Sequence, residues 1–239
     1  MDNSTNSTCD EWPDNPGYCV AIEVGRTLTA VLSLLGCLFM ILIIWLFRKY
    51  QFFVQRLILW LTIAAFLDAV GYVIATDQVE KNTLCIFQAF WITLFDWTVL
   101  LWVTCLTFNL FLIVLKLKKT DHLEWIYHLI SWAGSLIIAC IPFSNGIVYG
   151  PANTLCWIKA GANAFRFAIW YVPLVILLIL MVSAYLYIVF IINRRSKTWS
   201  GSYDPEMERK MTLLKSDIKS LRFYPLVFLV LNVFPLINR

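Results

Sequence analysis

The chain has 239 residues, of which 60% are hydrophobic and 14% are charged, and its mean hydropathy is +0.74. A soluble domain averages about 45–50% apolar and about 25% charged residues, so this composition excludes an ordinary soluble domain and indicates a protein that lies in a lipid bilayer. The net charge of +4 is mild and gives no reason to expect a nucleic-acid partner.

Residues 1–24 are predicted to form an extracellular tail. They contain no apolar core of a cleavable signal peptide, so the first hydrophobic span is expected to act as its own insertion signal. Asn3 and Asn6 each begin an Asn-x-Ser/Thr glycosylation acceptor, which is usable only on the lumenal side. Cys9 and Cys19 are candidates for a second disulfide within this tail. Two cysteines ten residues apart in a flexible segment would constrain the chain little.

Five apolar runs are long enough to cross the hydrocarbon core as helices, which takes roughly 20 residues each. A sixth run is somewhat shorter and needs the preceding residues to cross fully. The six predicted spans lie at about 25–47, 57–76, 85–115, 125–144, 167–192 and 223–238. Residues 25–239 are therefore predicted to form an all-α transmembrane bundle.

The loops on one side of this bundle are basic. Those at 48–56, 116–124 and 193–222 hold most of the 19 Lys and Arg residues, whereas the N-terminal tail is acidic. By the positive-inside rule these loops face the cytoplasm, and the N-terminus lies outside. Within the longest loop, residues 205–221 are predicted to form an amphipathic helix that runs into the sixth span.

Cys85 and Cys156 both fall on the predicted outer side, where disulfides persist. Cys85 stands at the outer end of the third span, and Cys156 lies in the loop at 145–166. A bridge between them would hold this loop across the mouth of the bundle, and the alternative is two free thiols. The cysteines within spans are predicted to be small apolar fillers: Cys37, Cys105 and Cys140.

Asp68 and Asp96 are the acids that lie well inside spans, each roughly 17 Å from its span's start. An ionisable side chain at that depth costs at least about 2.5–3.5 kcal/mol, so it is expected to face the bundle interior. Each is interpreted as a ligand contact or a protonatable switch, against the alternative of a neutral acid that fixes helix packing. Gln88 and Trp91, near the outer end of the third span, are further candidates.

Four prolines lie in or at the ends of the fourth, fifth and sixth spans: Pro142, Pro173, Pro225 and Pro235. Proline removes a backbone hydrogen bond and bends a helix, and neighbouring helices in a membrane can compensate. Each predicts a bend, which is either static or a hinge that moves on activation.

No catalytic set is present in the sequence. The chain has two histidines, His122 and His128, and it lacks a Gly-rich phosphate loop, an HExxH motif and a nucleophile elbow. We therefore expect neither an enzyme nor a cofactor or metal site.

Several short motifs resemble those of seven-helix G-protein-coupled receptors. The third span opens with Cys85-Ile86-Phe87-Gln88-Ala89 and is rich in Trp, the second span contains Leu67-Asp68, and the second outer loop contains a cysteine. The sixth span begins Arg222-Phe223-Tyr224-Pro225-Leu226 and closes on Asn238-Arg239, which is similar to the cyclic-AMP-receptor-like group that profiles place with the secretin-like class. Asn232-Val233 departs from that group, whose members often carry a tryptophan there.

The resemblance implies a cell-surface receptor of the plasma membrane that transduces an extracellular ligand signal to a heterotrimeric G protein. It implies a seven-transmembrane-receptor bundle with six helices present and the seventh missing, so we expect a fragment or truncated form. The implied partners are the lipid bilayer, the G protein, an unknown extracellular ligand and another receptor protomer. The residues expected to face the G protein are Lys116, Lys118, Lys119, Arg194, Arg195 and Arg222.

Two alternatives stay open. A six-span transporter or channel is disfavoured, because spans one to three and four to six show no repeat and no outer loop could form a re-entrant filter. A non-signalling truncated receptor isoform is the other. The short tail cannot form a hormone-binding domain, so a ligand is expected to enter the bundle itself, and group likeness does not carry ligand identity.

Overall fold

The computed structural model describes residues 16–74, 83–116, 120–144, 146, 148–152, 155–159 and 161–198. Within these ranges, five helices are long and apolar enough to cross a membrane. The predicted sixth span, the predicted helix at 205–221 and the tail residues Asn3, Asn6 and Cys9 lie outside the described residues, so the Cys9–Cys19 pairing stays a prediction.

The first two spans are regular helices joined by a tight connection. The first runs over Pro16–Leu46 and the second over Phe53–Val73. Proline suits the first helical position because its missing N–H would be unpaired there in any case. Between the helices, Arg48 has φ 51°, a left-handed conformation that ends a helix and redirects the chain into the 3₁₀ turn Lys49–Gln51.

The third span, Thr83–Lys116, contributes most to the core. Its 34 residues extend over about 51 Å, more than the hydrocarbon core of about 30 Å, so the helix continues beyond the membrane. Half of its apolar stretch is buried, against 17% for the first and fifth spans. Both Trp97 and Trp102 are almost fully buried on this helix.

The fourth span, Asp121–Phe143, changes helix type along its length. It begins with the 3₁₀ turn Asp121–Leu123, contains the π-helical turn Leu129–Ala133, and ends in the 3₁₀ turn Ile141–Phe143, which includes Pro142. Hydroxyl groups support the irregular part, since Ser135 Oγ donates to the carbonyls of Ser131 and Trp132 at 2.7 and 3.0 Å.

The fifth span begins with Asn163–Arg166, passes through the π-helical turn Phe167–Tyr171 and continues as Val172–Thr198. Pro173 has no N–H to donate to the carbonyl four residues earlier, and its ring needs room on that side. The wide turn directly before it relieves the conflict, which gives the predicted bend at Pro173 a structural cause.

The loop between the fourth and fifth spans contains a two-stranded hairpin that was not predicted from the sequence. Strand β1 (Tyr149–Ala152) pairs antiparallel with β2 (Leu155–Ile158), so that Tyr149 lies opposite Ile158. Aromatic and β-branched residues on both sides of Pro-Ala-Asn-Thr are the signal for it in the sequence.

The exposed surfaces of the first and fifth spans are apolar. Leu32 and Trp45 are 66% and 70% exposed on the first span, and Ile179 is 62% exposed on the fifth. Large contiguous apolar surfaces are unfavourable in water and normal against lipid tails. The exposure therefore supports the bilayer as the partner of these helices.

The described residues fall into two compact units. The first comprises the residues up to Trp102 together with His128–Ile169, and thus contains the first two spans and the hairpin. The second comprises Val103–Tyr127 and the residues from Trp170 onward, and thus contains the last part of the third span and most of the fifth.

Candidate functional site

A disulfide joins Cys85 and Cys156, as predicted. Their Cα atoms are 5.3 Å apart, and both side chains are buried. Cys85 lies in the first turn of the third span, whereas Cys156 lies in strand β2. The bridge therefore fixes the hairpin to one end of the third span.

A buried tyrosine attaches the hairpin to the fourth span. Tyr149 Oη donates to the carbonyl of Ala139 at 2.9 Å, and its ring packs against Phe143 with centroids 5.2 Å apart. Burial raises the pKa of Tyr149, and a hydrogen bond with the Thr93 hydroxyl opposes this effect in part. The phenol therefore stays protonated, as donation to a carbonyl requires.

An arginine attaches the hairpin to the start of the fifth span. Arg166 Nε and Nη2 both donate to the carbonyl of Ile158, at 3.0 and 2.6 Å. Its guanidinium lies over the Trp157 ring, 5.3 Å from the centroid. Charge-assisted hydrogen bonds are roughly twice as strong as neutral ones, so this contact holds the end of β2 firmly.

Lys159 adds a second cation beside this contact. A Cβ atom on Gly150 would lie 2.6 Å from Lys159 Cε, so the glycine gives the lysine stem room to lie across the strand. The hairpin thus presents a covalently and electrostatically anchored surface at the end of the third, fourth and fifth spans.

The predicted residues Gln88 and Trp91 connect the third span to the second. Gln88 Nε2 donates to the carbonyls of Gly71 and Ile74, at 3.0 and 2.8 Å, near the end of the second span. Trp91 Nε1 donates to the carbonyl of Leu67 at 2.7 Å. Carbonyls at a helix end lack partners within the helix, and Gln88 provides them with a donor. A role of either residue in ligand contact stays a prediction.

Asp96, one of the two predicted intramembrane acids, is half-buried on the third span. Tyr72 Oη lies 3.5 and 3.4 Å from its two carboxylate oxygens, which is long for a bond between a hydroxyl and a carboxylate. At these distances the hydrogen bond is weak, so the hydroxyl could move closer to the carboxylate or another donor could take its place. The arrangement suits a polar contact point between the second and third spans.

Asp68, the other predicted acid, is half-buried on the second span. Cys37 and Cys105 are buried free thiols, in line with their prediction as apolar fillers, whereas Cys140 is exposed. A ligand or switch role for Asp68 or Asp96 stays a prediction.

The second unit contains a buried polar cluster that sequence reasoning missed. Asn109, on the third span, accepts hydrogen bonds through Oδ1 from Thr120 Oγ1 at 2.5 Å and from Tyr127 Oη at 3.4 Å. All three side chains are at most 4% exposed. An asparagine in an otherwise apolar run was the available signal, since a buried amide needs partners.

The predicted basic residues are described only in part. Lys116 is the last residue of the third span, and Arg194 lies exposed near the end of the fifth. Lys118, Lys119 and Arg222 lie outside the described residues, as does the side chain of Arg195. A basic surface shared by these residues stays a prediction.

Among the described residues, no group of three or more His, Cys, Asp or Glu side chains could hold a metal ion.

Comparison with known proteins identifies related chains. A family model described as slime mold cyclic AMP receptor matches residues 20–239. Cyclic AMP receptor 1 of Dictyostelium discoideum is 24% identical over 217 residues, which cover 87% of this chain and 52% of that protein. G-protein coupled receptor 1 of Arabidopsis thaliana is 29% identical over 147 residues, covering 60% and 44%.

G-protein coupled receptor 157 of Mus musculus is 29% identical over 199 residues, which cover 75% of this chain and 59% of that protein. The chain thus spans about half the length of the curated relatives it matches. The family model matches almost the whole chain, and the described residues contain five helices long and apolar enough to cross a membrane; these two findings agree.

Proposed function

Because the chain belongs to the slime mold cyclic AMP receptor family, we propose that it acts as a G-protein-coupled receptor at the cell surface. In this role it passes an extracellular signal across the plasma membrane to a heterotrimeric G protein. The family match over residues 20–239 is the observation that carries the proposal. The five apolar helices and the disulfide-anchored hairpin are its structural support.

The hairpin end is proposed to face the cell exterior. Disulfides persist in oxidising compartments, and the basic loops fall at the other ends of the spans. The N-terminal tail would then be extracellular and open to glycosylation at Asn3 and Asn6. Glycosidase digestion should shift the mass of the wild type but not that of Asn3→Gln/Asn6→Gln, and an N-terminal epitope should be stained on unpermeabilised cells.

The ligand is proposed to enter beside the anchored hairpin and to reach the polar groups between the second and third spans. The half-buried carboxylate of Asp96 and the hydroxyl of Tyr72 are proposed as these groups, because the long distance between their oxygens leaves their hydrogen bond weak. Two of the relatives are named cyclic AMP receptors, so cyclic AMP is the first ligand to test. Family likeness alone does not assign it.

The basic loops are proposed to contact the G protein. Charge reversal of Lys118 and Lys119 to Glu should reduce G-protein activation while leaving surface expression unchanged, because the partner's face is expected to be acidic. Lys159→Glu, which makes the same kind of charge change at the hairpin end, is the matched control. Unchanged coupling of the double variant at normal surface level would remove this assignment. A second receptor protomer as partner also stays a prediction.

A further inference from the structure

The polar cluster around Asn109 lies where the third span meets the beginning of the fourth. The side chain is 2% exposed, and its single amide oxygen receives both donors, from Thr120 and from Tyr127. The two donors are 11 and 18 residues away in sequence. One buried oxygen thus joins the third span to the residue before the fourth and to the first α-helical turn within it.

Thr120 connects Asn109 of the third span to the turn that begins the fourth span. Its carbonyl accepts a backbone hydrogen bond from Leu123 N at 2.9 Å, which forms the turn Asp121–Leu123. Its hydroxyl is held by Asn109, whereas the side chains of Asp121 and His122 are exposed. The orientation of an exposed turn is therefore set by a buried hydrogen bond to the third span.

We propose that Asn109 is a positioning residue for the G protein: through Thr120 and Tyr127 it holds the turn Asp121–Leu123 in the orientation that the partner binds. This inference rests on the proposed function, which places this turn on the cytoplasmic side. Loss of the Thr120 hydroxyl should loosen the turn and weaken G-protein binding, with the fold of the receptor intact.

Thr120→Val is the informative substitution because valine has nearly the same shape as threonine and the site is buried. Tyr127 Oη, now 3.4 Å from the Asn109 oxygen, still provides that oxygen with a donor and can approach it more closely once the threonine hydroxyl is gone, so the cost in folding stays small. Thr120→Ser keeps the hydroxyl and should restore the wild-type behaviour. Asn109→Leu removes both bonds and should act in the same direction as Thr120→Val, with a larger effect.

A control variant distinguishes the loss of the connection between the spans from the loss of a buried hydroxyl in general. Thr107 lies on the same helix, is 3% exposed, and donates to the carbonyl of Val103 within that helix at 2.8 Å. Thr107→Val therefore removes a buried hydroxyl of equal size without cutting a connection between spans. It should behave like the wild type in both measurements below.

The first measurement is amide hydrogen exchange at Leu123, whose N–H donates to the carbonyl of Thr120, in receptor reconstituted in lipid nanodiscs. One net hydrogen bond corresponds to roughly fivefold in local opening, so exchange should be about fivefold faster in Thr120→Val. The second is the affinity of the same nanodiscs for purified nucleotide-free heterotrimeric G protein, which should be about fivefold weaker in this variant. Thr120→Ser should match the wild type in both.

Unchanged exchange in Thr120→Val, or faster exchange with unchanged G-protein affinity, would overturn the positioning role. Equal losses in Thr107→Val would also overturn it, because they would show a general packing effect. A wild-type receptor that binds no G protein, beside a reference receptor that does, would instead refute the proposed function from which this inference starts.

Discussion

Substitution of Gly71 by alanine is expected to disrupt the contact between the second and third spans. A Cβ atom at this position would lie 2.8 Å from Trp91 Cδ1 and 3.0 Å from Ile92 Cγ1, closer than side chains pack. The indole must move, and it then loses its hydrogen bond of 2.7 Å to the carbonyl of Leu67. Gly71 is thus the residue that permits the close approach.

Two destabilising contributions and one stabilising contribution set the change in the free energy of unfolding. Overpacking costs about 1–3 kcal/mol, and the lost indole hydrogen bond adds about 1 kcal/mol. The better helix propensity of alanine offsets about 1 kcal/mol. The net loss in the free energy of unfolding is therefore about 1–3 kcal/mol. For a chain of this size each kcal/mol lowers the melting temperature by about 2–4 °C.

A thiol-reactive dye provides the assay, because Cys37 and Cys105 are buried free cysteines that react on unfolding. Cys140 is exposed and would react at once, and the Cys9–Cys19 bridge is only predicted, so the experiment uses a Cys9→Ser/Cys19→Ser/Cys140→Ser background. The melting temperature is read from the rise in dye fluorescence in detergent, for the wild type and each variant under the same conditions.

Gly36→Ala is the matched control, since a Cβ atom there has nothing within 4 Å. It should leave the melting temperature unchanged or raise it slightly. Trp91→Phe in the Gly71→Ala background should cost less than the sum of the single effects, because the smaller ring relieves the clash. If Gly71→Ala melts as high as Gly36→Ala, the reasoning about close approach is wrong.

Three further predictions concern the hairpin. Cys85→Ser and Cys156→Ser should each lower the melting temperature and the double variant should equal either single one, since one bridge is lost in all three; additive losses would contradict the pairing. Arg166→Met should accelerate amide exchange of the strand that ends at Ile158 by about tenfold, because the charge-assisted bonds to its carbonyl are lost, and an unchanged rate would count against this anchor. Because the pKa of Tyr149 is raised in the folded protein, its contribution to stability is full below the ordinary tyrosine pKa of about 10 and is lost as the pH rises through the folded value. Tyr149→Phe should lack this alkaline loss in melts from about pH 9 to about pH 11, and identical profiles would exclude the effect.

The spans were predictable because their signal is local. Roughly 20 apolar residues in a row suffice to indicate a helix across the hydrocarbon core. The observed helices Phe53–Val73 and Asn163–Arg166 begin about four residues before the apolar runs at 57–76 and 167–192. Helix ends outside the hydrocarbon contain polar residues, so an apolar run does not include them.

The Cys85–Cys156 disulfide was also predictable, because it follows from which side of the membrane each cysteine occupies. The hairpin around Cys156 was not, since its strands are four residues each and are held by Tyr149 and Arg166 from other elements. Such short strands have no stability of their own, and their position depends on these tertiary contacts.

The polar contacts show a similar limit. Hydropathy and depth identify Asp96 and Gln88 as unusual residues, but they do not identify the acceptors that Gln88 binds on the second span. The sequence does not distinguish Asn109, because a single amide in an apolar run is a common feature. The hydrogen bonds that its oxygen accepts from Thr120 and Tyr127 depend on the tertiary structure.

The proposed function is that this protein activates a heterotrimeric G protein in response to an extracellular ligand. The most direct measurement is guanine nucleotide exchange on a purified heterotrimer by the receptor in lipid nanodiscs, with and without cyclic AMP and a panel of other small polar ligands. We expect one ligand to accelerate exchange, and reduction of the Cys85–Cys156 bridge to diminish the response. If nucleotide exchange with every ligand is no faster than with empty nanodiscs, while a reference receptor is active under the same conditions, the proposed function is wrong.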